Sequence, residues 1–436
     1  MALGGGTFAA QNKVLPGAYI NFVSAARVDS SQGERGIVTM PLELDWGIDG
    51  EVFEVTAEGF KQDAMKFFGY AYTDDKLKGL RDLFLYTRKA YFYRLNSGAK
   101  ASNNFATAKC SGTRGNDLKV VISANVDNES AFDVKLYLDA IPVDSQTVET
   151  AAALVDNDYV VWKKSATLAA TAGTALAGGT NGTTVNGASY QQYLNKIESY
   201  SYHVMASYTA EDSVKALLTA FCKRMRDEAG VKFQLVVHDL AADYEGVINV
   251  KNSVDTTGGD AVTSLVYWVA GVCASCAINK SALNMRYDGE FTVLADYTQV
   301  QLEAAIKAGE FALHRCNNDL RVLADINSLV TETSAKGVDF KSNQTIRIID
   351  KIGNDIATLF AEKYIGGVAN NESGRVSLWA DIVKHHKALQ DMGVIENFSD
   401  QDVVVSAGNT KKSVVINDVV TVVNAMSQLY MTVTVA

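Results

Sequence analysis

Proline is nearly absent from this chain. Three residues in 436, Pro16, Pro41 and Pro142, leave no room for stiff proline-rich spacers, so the domains are expected to pack on one another. Positive charge is also scarce: Lys and Arg number 40 against 50 Asp and Glu, a formal net charge of −10. Such a chain repels nucleic acid unless a basic stripe overrides the total. The longest basic clusters, Lys163-Lys164, Lys223-Arg224 and Lys411-Lys412, are too short to make one, and no nucleic-acid contact is expected. Cysteine is sparse and odd in number. Cys110, Cys222, Cys273, Cys276 and Cys316 form no framework spacing, which fits folding in a reducing cytoplasm. The opening MALGGGTFAAQNK lacks a basic stretch followed by an apolar one, so no signal peptide is expected. One uncharged stretch, Ala261–Asn279, approaches the length of a membrane span, but it carries Thr263, Ser264, Tyr267, Gly271 and Ser275 and has no basic flank. It reads as a buried helix, and no membrane insertion is expected.

Catalytic signatures are missing as well. There is no G-x-S-x-G nucleophile turn and no glycine-rich phosphate loop. His238-Asp239 ends a predicted strand, where α/β active sites often lie, yet no activated Ser or Cys accompanies it. Cys273-Ala-Ser-Cys276 falls inside an apolar helical pattern and not at a helix N-terminus, where the dipole would lower a thiol pKa. A zinc site needs a second ligand pair; His314-Arg-Cys316 is a candidate on paper, and the two cysteines read as buried small residues. His385-His386 are neighbours on a helix, so their side chains are expected to point about 100° apart and to form no metal pair. The chain is therefore read as a non-enzyme without cofactor or metal.

What is present is an ordinary globular composition, 47% apolar and 21% charged, in a chain long enough for about two to four domains. Residues 1–28 contain no acidic side chain and are punctuated by Gly4–Gly6 and Pro16-Gly17, after which Ala18, Tyr19, Ile20, Asn21, Phe22 and Val23 read as a strand. Residues 29–100 mix strands (Ile37–Leu44, Tyr91–Leu95) with a helix at Leu77–Leu85. Residues 101–190 form a strand-rich unit: Leu118–Ala124, Phe132–Leu138 and Tyr159–Lys163 alternate between turn signals, as in a small β-sandwich or barrel, and the uncharged Ser165–Tyr190 closes it as a surface excursion.

Residues 191–340 change rhythm to strand–helix–strand. The strand His203–Ser207 is followed by a helix that Thr209 can cap, with Val214, Leu217, Leu218, Phe221 and Met225 as its buried stripe. Strand Lys232–His238, helix Ala261–Ile278, strand Phe291–Leu294 and helix Val300–Gly309 continue it, which predicts a mainly parallel sheet. Residues 341–436 hold two helices, Asn343–Tyr364, with Ile346, Ile349, Ile352, Ile356, Leu359 and Phe360 inward, and Ser377–Met392. Three strand-like runs follow, Asp402–Val405, Ser413–Val423 and Gln428–Val435.

The two ends stand out. An arm with a strand at one end, and Leu429, Tyr430, Met431, Thr432, Val433, Thr434 and Val435 alternating at the other, are unpaired edges that a monomer would hide. They either pair within the subunit or add strands to neighbours, and heterologous addition propagates into a ring or filament.

Read in order, Pro16–Phe22, the Tyr190–Ser207 lead into the Val214–Met225 helix, Val269-Ala270-Gly271-Val272 with Asn279–Asn284, Ala308-Gly309-Glu310, Asp325–Leu329 and the terminal Asp418–Val435 resemble the contractile phage tail sheath proteins of phages, defective prophages and R-type bacteriocins. The resemblance implies an α+β and α/β multidomain fold. It comprises a β-sandwich insertion, a subtilisin-like α/β central domain without a catalytic triad, and a C-terminal α/β assembly domain with extended terminal β arms. It implies a helical homopolymer of hexameric rings around a tail tube protein, closed by baseplate and terminator proteins, assembled in a host bacterial cytoplasm and found in a virion tail or extracellular particle. It also implies that the arms Ala18–Val23 and Leu429–Val435 join neighbours' sheets. The C-terminal part lines the inner surface in that family, so the turn carrying Lys384, His385, His386 and Lys387 is expected to face the tube. A surface-layer or capsid-like shell protein and an α/β hydrolase remain as alternatives.

Overall fold

Strand β1 (Ile37–Leu42) has five of its six side chains buried, as a strand covered on both faces must. This computed structural model describes residues 35–435, so the strand expected at Ala18–Val23 lies outside the described residues. After β1 come β2 (Val52–Thr56), α1 (Ala57–Phe68), α2 (Lys78–Phe84) and β3 (Lys89–Arg94). Thr56 ends β2 and caps α1 in one step, its hydroxyl accepting from the Gly59 N–H.

The chain then enters a β-sandwich. A pair, β4 (Ala106–Ala108) and β8 (Val160–Trp162), packs on a four-stranded antiparallel sheet of β5 (Leu118–Ala124), β6 (Phe132–Leu138), β7 (Ile141–Val148) and β9 (Thr171–Ala175) in the order β7-β6-β5-β9. Their shared core is Leu118, Val120, Ile122, Val134, Leu136, Leu138, Val160 and Trp162, the inward half of each alternating strand. The uncharged tract expected as a surface excursion contributes β9 to this sheet and then opens α3 (Gly187–Ile197), capped by Asn186.

Next follow β10 (Val204–Ser207), α4 (Asp212–Lys223), β11 (Gln234–His238), β12 (Val247–Val250), α5 (Leu265–Ser275), α6 (Gln299–Lys307) and β13 (Glu310–Phe311). With β1–β3 they form one seven-stranded sheet, ordered β13-β12-β11-β10-β1-β3-β2 and parallel except for β2. The regions expected as 29–100 and 191–340 thus share one sheet, and the sandwich is an insertion between β3 and β10. Helix α5 is uncharged because it lies between the sheet and α2. A Cβ on Gly271 would stand 2.5 Å from the Leu83 carbonyl, so only glycine admits that approach. The expected helix stripe of α4 is present, although Thr209 accepts from the Glu211 N–H and does not cap the helix itself. Phe291–Leu294 forms no strand, only an isolated bridge from Val293 to Val254.

A hairpin of β14 (Leu313–Cys316) and β15 (Asp319–Val322) leads to α7 (Asn343–Leu359), which runs on as a π turn over Phe360–Tyr364, and to α8 (Glu372–Asp391). The first half of α7 buries Ile346 and Ile348, and also Arg347 and Asp350, where an apolar stripe through Ile349 was expected. Four short strands follow: β16 (Ile395–Glu396), β17 (Val403–Ala407), β18 (Val414–Asp418) and β19 (Thr421–Val422), paired as β16–β19 and β17–β18.

Candidate assembly interface

The C-terminal run leaves the body at β19. Its last ties are side-chain bonds to α7: Asn424 Nδ2 donates to Thr345 Oγ1 at 3.0 Å, and Gln344 Oε1 accepts from the Ala425 N–H at 2.9 Å. Beyond Ala425 the described chain forms no strand, and Leu429, Tyr430 and Val435 are 85%, 87% and 90% exposed. The strand expected at Leu429–Val435 is therefore not formed within the subunit. The alternating apolar side chains Leu429, Met431, Val433 and Val435 are all exposed.

Close to its root lies a two-stranded sheet with open edges. In the β17–β18 hairpin, Val403, Val405, Val414 and Ile416 turn toward α8, packing with Leu378, Ile382 and Val383. Val404 and Val415 lie on the outer face, half exposed, and neither outer edge of the hairpin pairs with another strand among the described residues. Trp379 Nε1 fastens the hairpin's start to α8 by donating to the carbonyls of Asp400 and Val403.

The basic turn of α8 is divided by its own geometry. Lys384 and Lys387 are exposed, and Lys387 pairs with Asp400 at 2.7 Å. His386 is completely buried, its Nε2 2.7 Å from Asp418 Oδ2, and His385 turns inward, its Nε2 2.9 Å from Asp355 Oδ2. The expectation that all four side chains form one outward face is corrected here for the histidines: carboxylates on α7 and β18 draw them inside. Nor do they diverge, because their Nδ1 atoms meet at 3.0 Å. No cluster of metal-ligating side chains occurs among the described residues.

Two buried ion pairs fix α7 to the sheet body. Arg347 reaches Asp325 at 2.7 Å, and Arg226 reaches Asp350 at 2.6 Å. Burial alone would raise the Asp325 carboxyl, but the Arg347 charge and several hydrogen bonds outweigh it and hold it below the usual carboxylate range. A polar bond from Gln234 to Asn343 adds to the seam.

The candidates for chemistry do not converge. His238 Nε2 lies 3.4 Å from Ser253 Oγ at a parallel strand end, and burial lowers its pKa. Asp239, at φ 49°, follows it in the left-handed region, and no carboxylate among the described residues hydrogen-bonds the ring to orient it. Cys273 is buried within α5 and Cys276 follows its last turn, and burial raises both thiols. His314 and Cys316 lie on β14, in no metal-ligating cluster. No described helix is long and apolar enough to cross a membrane.

Four family domains match the chain in sequence: the tail sheath protein Gp18 domain III N-terminal region over residues 35–95, the phage tail sheath protein beta-sandwich domain over 96–181, the phage tail sheath protein central domain over 183–328 and the phage tail sheath C-terminal domain over 335–436. The phage-like element PBSX protein XkdK of Bacillus subtilis (strain 168) is 33% identical, covering 98% of this chain and 99% of that protein. The chain belongs to the phage tail sheath protein family. The crystal structure of the sheath tail protein of Desulfitobacterium hafniense is similar to this sheath protein at a TM-score of 0.79 and 37% identity, covering 90% of this chain and 93% of that one. The anti-feeding prophage helical sheath in its contracted state has a TM-score of 0.56 at 12% identity, covering 97% of this chain and 99% of that one, a likeness of fold alone. The sandwich of this sheath protein is thus the family's beta-sandwich domain, and the exposed C-terminal run belongs to its C-terminal domain.

Proposed function

We propose that this sheath protein polymerises as stacked hexameric rings around a tail tube, and that the lattice shortens to drive the tube through a target cell envelope. The observation that carries the reading is the exposed, alternating run 426–435 next to a hairpin with two open edges. A strand laid on such an edge satisfies its own N–H and C=O groups and those of the edge together. Donor and acceptor differ, so the contact is heterologous and repeats from subunit to subunit. The N-terminal segment Ala18–Val23 is the second donor in this reading.

A hydrogen-bonded tether tolerates rotation of the bodies it links, which a flat side-chain interface resists. An extended lattice above a contracted one in free energy persists by a kinetic barrier. The contracted state of the related anti-feeding prophage sheath supports a cycle of this kind. Lys384 and Lys387 face the tube, and baseplate and terminator proteins close the ends. The polymer assembles in a bacterial cytoplasm and acts as a phage tail or an extracellular particle. The sheet body, which resembles a subtilisin-like fold, serves as a scaffold without catalysis.

The test is truncation. Ending the chain at Ser427, or removing residues 1–23, is expected to leave native circular dichroism and a monomeric sedimentation profile. Long sheaths formed by either truncated chain would overturn the reading.

A further inference from the structure

The cluster that α7, α8 and β18 build around His385 and His386 fixes its own proton count. Each Nε2 faces a carboxylate oxygen, His386 that of Asp418 at 2.7 Å and His385 that of Asp355 at 2.9 Å. An ionised carboxylate only accepts, so each Nε2 donates. The Nδ1 atoms stand 3.0 Å apart, and there one ring must donate and the other accept. The four nitrogens therefore carry three protons, as one imidazolium and one neutral imidazole.

We propose that this pair is a proton-counted latch: three ring protons lock the β17–β18 hairpin and the root of the C-terminal run to α7 and α8, and a fourth opens it. The charged groups around the pair come from three elements. Facing the pair are Asp355 and Lys351 from α7, whose side chains pair at 2.8 Å, and Asp418 from β18. The other charges nearby on α8 are Asp381, one turn before His385 and paired with Lys363 at 2.6 Å, and the outward Lys384 and Lys387, the latter held by Asp400. The Phe398 ring packs edge-on against His386, its centroid 5.1 Å away, and supplies no acceptor.

A fourth proton sets two N–H groups head to head and two cations in contact where little water enters. The buried ring of His386 relieves this only by moving, and it then drops Asp418. That residue pairs with Val403 at the end of β18, where the chain turns toward β19 and the exposed run. Loss of the third proton also breaks the contact, by facing two lone pairs, so the latch holds within a window closed on both sides.

The latch stands on the contacts of a single subunit. Its effect on assembly rests on the reading of the C-terminal run as a donor strand. The test therefore uses full-length protein held as single subunits, where failure of the latch and failure of polymerisation are separate results. Hydrogen exchange of residues 414–423 is followed over about pH 5–8, the range in which imidazoles change charge, and corrected for the intrinsic rate. We expect exchange there to speed up on acidification by about tenfold or more relative to β10–β12, the signature of local opening.

His385→Gln keeps an amide donor for Asp355 but has no partner for His386 Nδ1, and is expected to abolish that acid response. In the unaltered protein, NMR of the histidine rings is expected to show both rings responding together to each proton taken up, as a pair and not one by one. Exchange of 414–423 that follows the core sheet at every pH, an acid response that survives His385→Gln, or two independent ring titrations would each overturn the proposal.

Discussion

Arg347 and Asp325 close an ion pair at 2.7 Å with side chains 1% and 3% exposed, so a helix of the C-terminal domain is joined to the central sheet body by charges almost without water. Such a pair contributes little net stability over an apolar substitute, but breaking it strands a buried charge. Arg347→Met is expected to cost roughly 3–5 kcal/mol in urea unfolding. Adding Asp325→Asn should recover part of that loss. Equal midpoints for the single variant and the unaltered protein would contradict the assignment.

Asp82 works against stability at neutral pH. Burial pushes its pKa up to about 6, while the Glu290 N–H and the Tyr287 hydroxyl only partly offset this. The folded state therefore holds this proton more tightly than the unfolded chain. The penalty is present in full above about pH 6 and fades as pH falls toward 4. Asp82→Asn, which retains an acceptor for the Glu290 N–H, is expected to stabilise the fold at pH 7 by about 1–3 kcal/mol and to flatten its stability between pH 4 and 6. Thermal unfolding across that range checks both effects.

His203 has the opposite sign. Burial, with Arg35, Lys351 and Arg88 around it, lowers its pKa to about 3, and its Nδ1 accepts the Ile37 N–H. The unfolded chain takes up this proton first, so the stability it confers is complete above the ordinary histidine pKa and is lost as pH falls from there toward 3. His203→Gln, a neutral acceptor, is expected to move acid unfolding to lower pH. A midpoint unchanged in fluorescence titration would count against it.

On the proposed reading, the exposed Lys384 and Lys387 of α8 contact the tube. Lys384→Glu combined with Lys387→Glu is expected to weaken co-assembly with tubes, most at low salt, because exposed charges are screened over about 10 Å at 0.1 M. Counting sheathed tubes by electron microscopy over a salt series reads this directly.

Much of the fold is legible in the sequence where one periodicity dominates. Leu118–Ala124 and Phe132–Leu138 alternate cleanly, and both strands have those limits. The uncharged Ala261–Ile278 reads as a buried helix, and the helix forms over its central part, Leu265–Ser275, buried on all sides. The unit Val52–Phe68 is harder to read, because strand passes into helix with no turn residue between; only Thr56, at a capping position, marks the change. Asn186 is the corresponding signal for α3, hidden within a tract of Ala, Gly and Thr. The union of β1 with β10 cannot be read from local pattern, since it pairs segments on either side of the sandwich. In the candidate interface, the exposed end is legible as an alternating run without a partner. The inward turn of the two histidines is not, because it depends on Asp355 and Asp418 arriving from other elements.

The sandwich leaves and rejoins the body at one point. Asn96 donates to the Asn181 carbonyl, and a Cβ on Gly182, at φ 80°, would stand 1.7 Å from the Ser97 carbonyl. The two stalks are thus in contact, and the sandwich also rests on the body: Trp46, from the loop after β1, is completely buried in the sandwich core, and Arg114 Nε donates to the Gly69 carbonyl. A tight turn joining Ser97 to Asn181 would span the gap but would leave Trp46 and Met65 without the side chains that cover them. The sandwich is thereby an outgrowth bound to its bearer by a buried face as well as by its two chain ends, so a change of bulk on that face is felt at the loop after β1 and at α1.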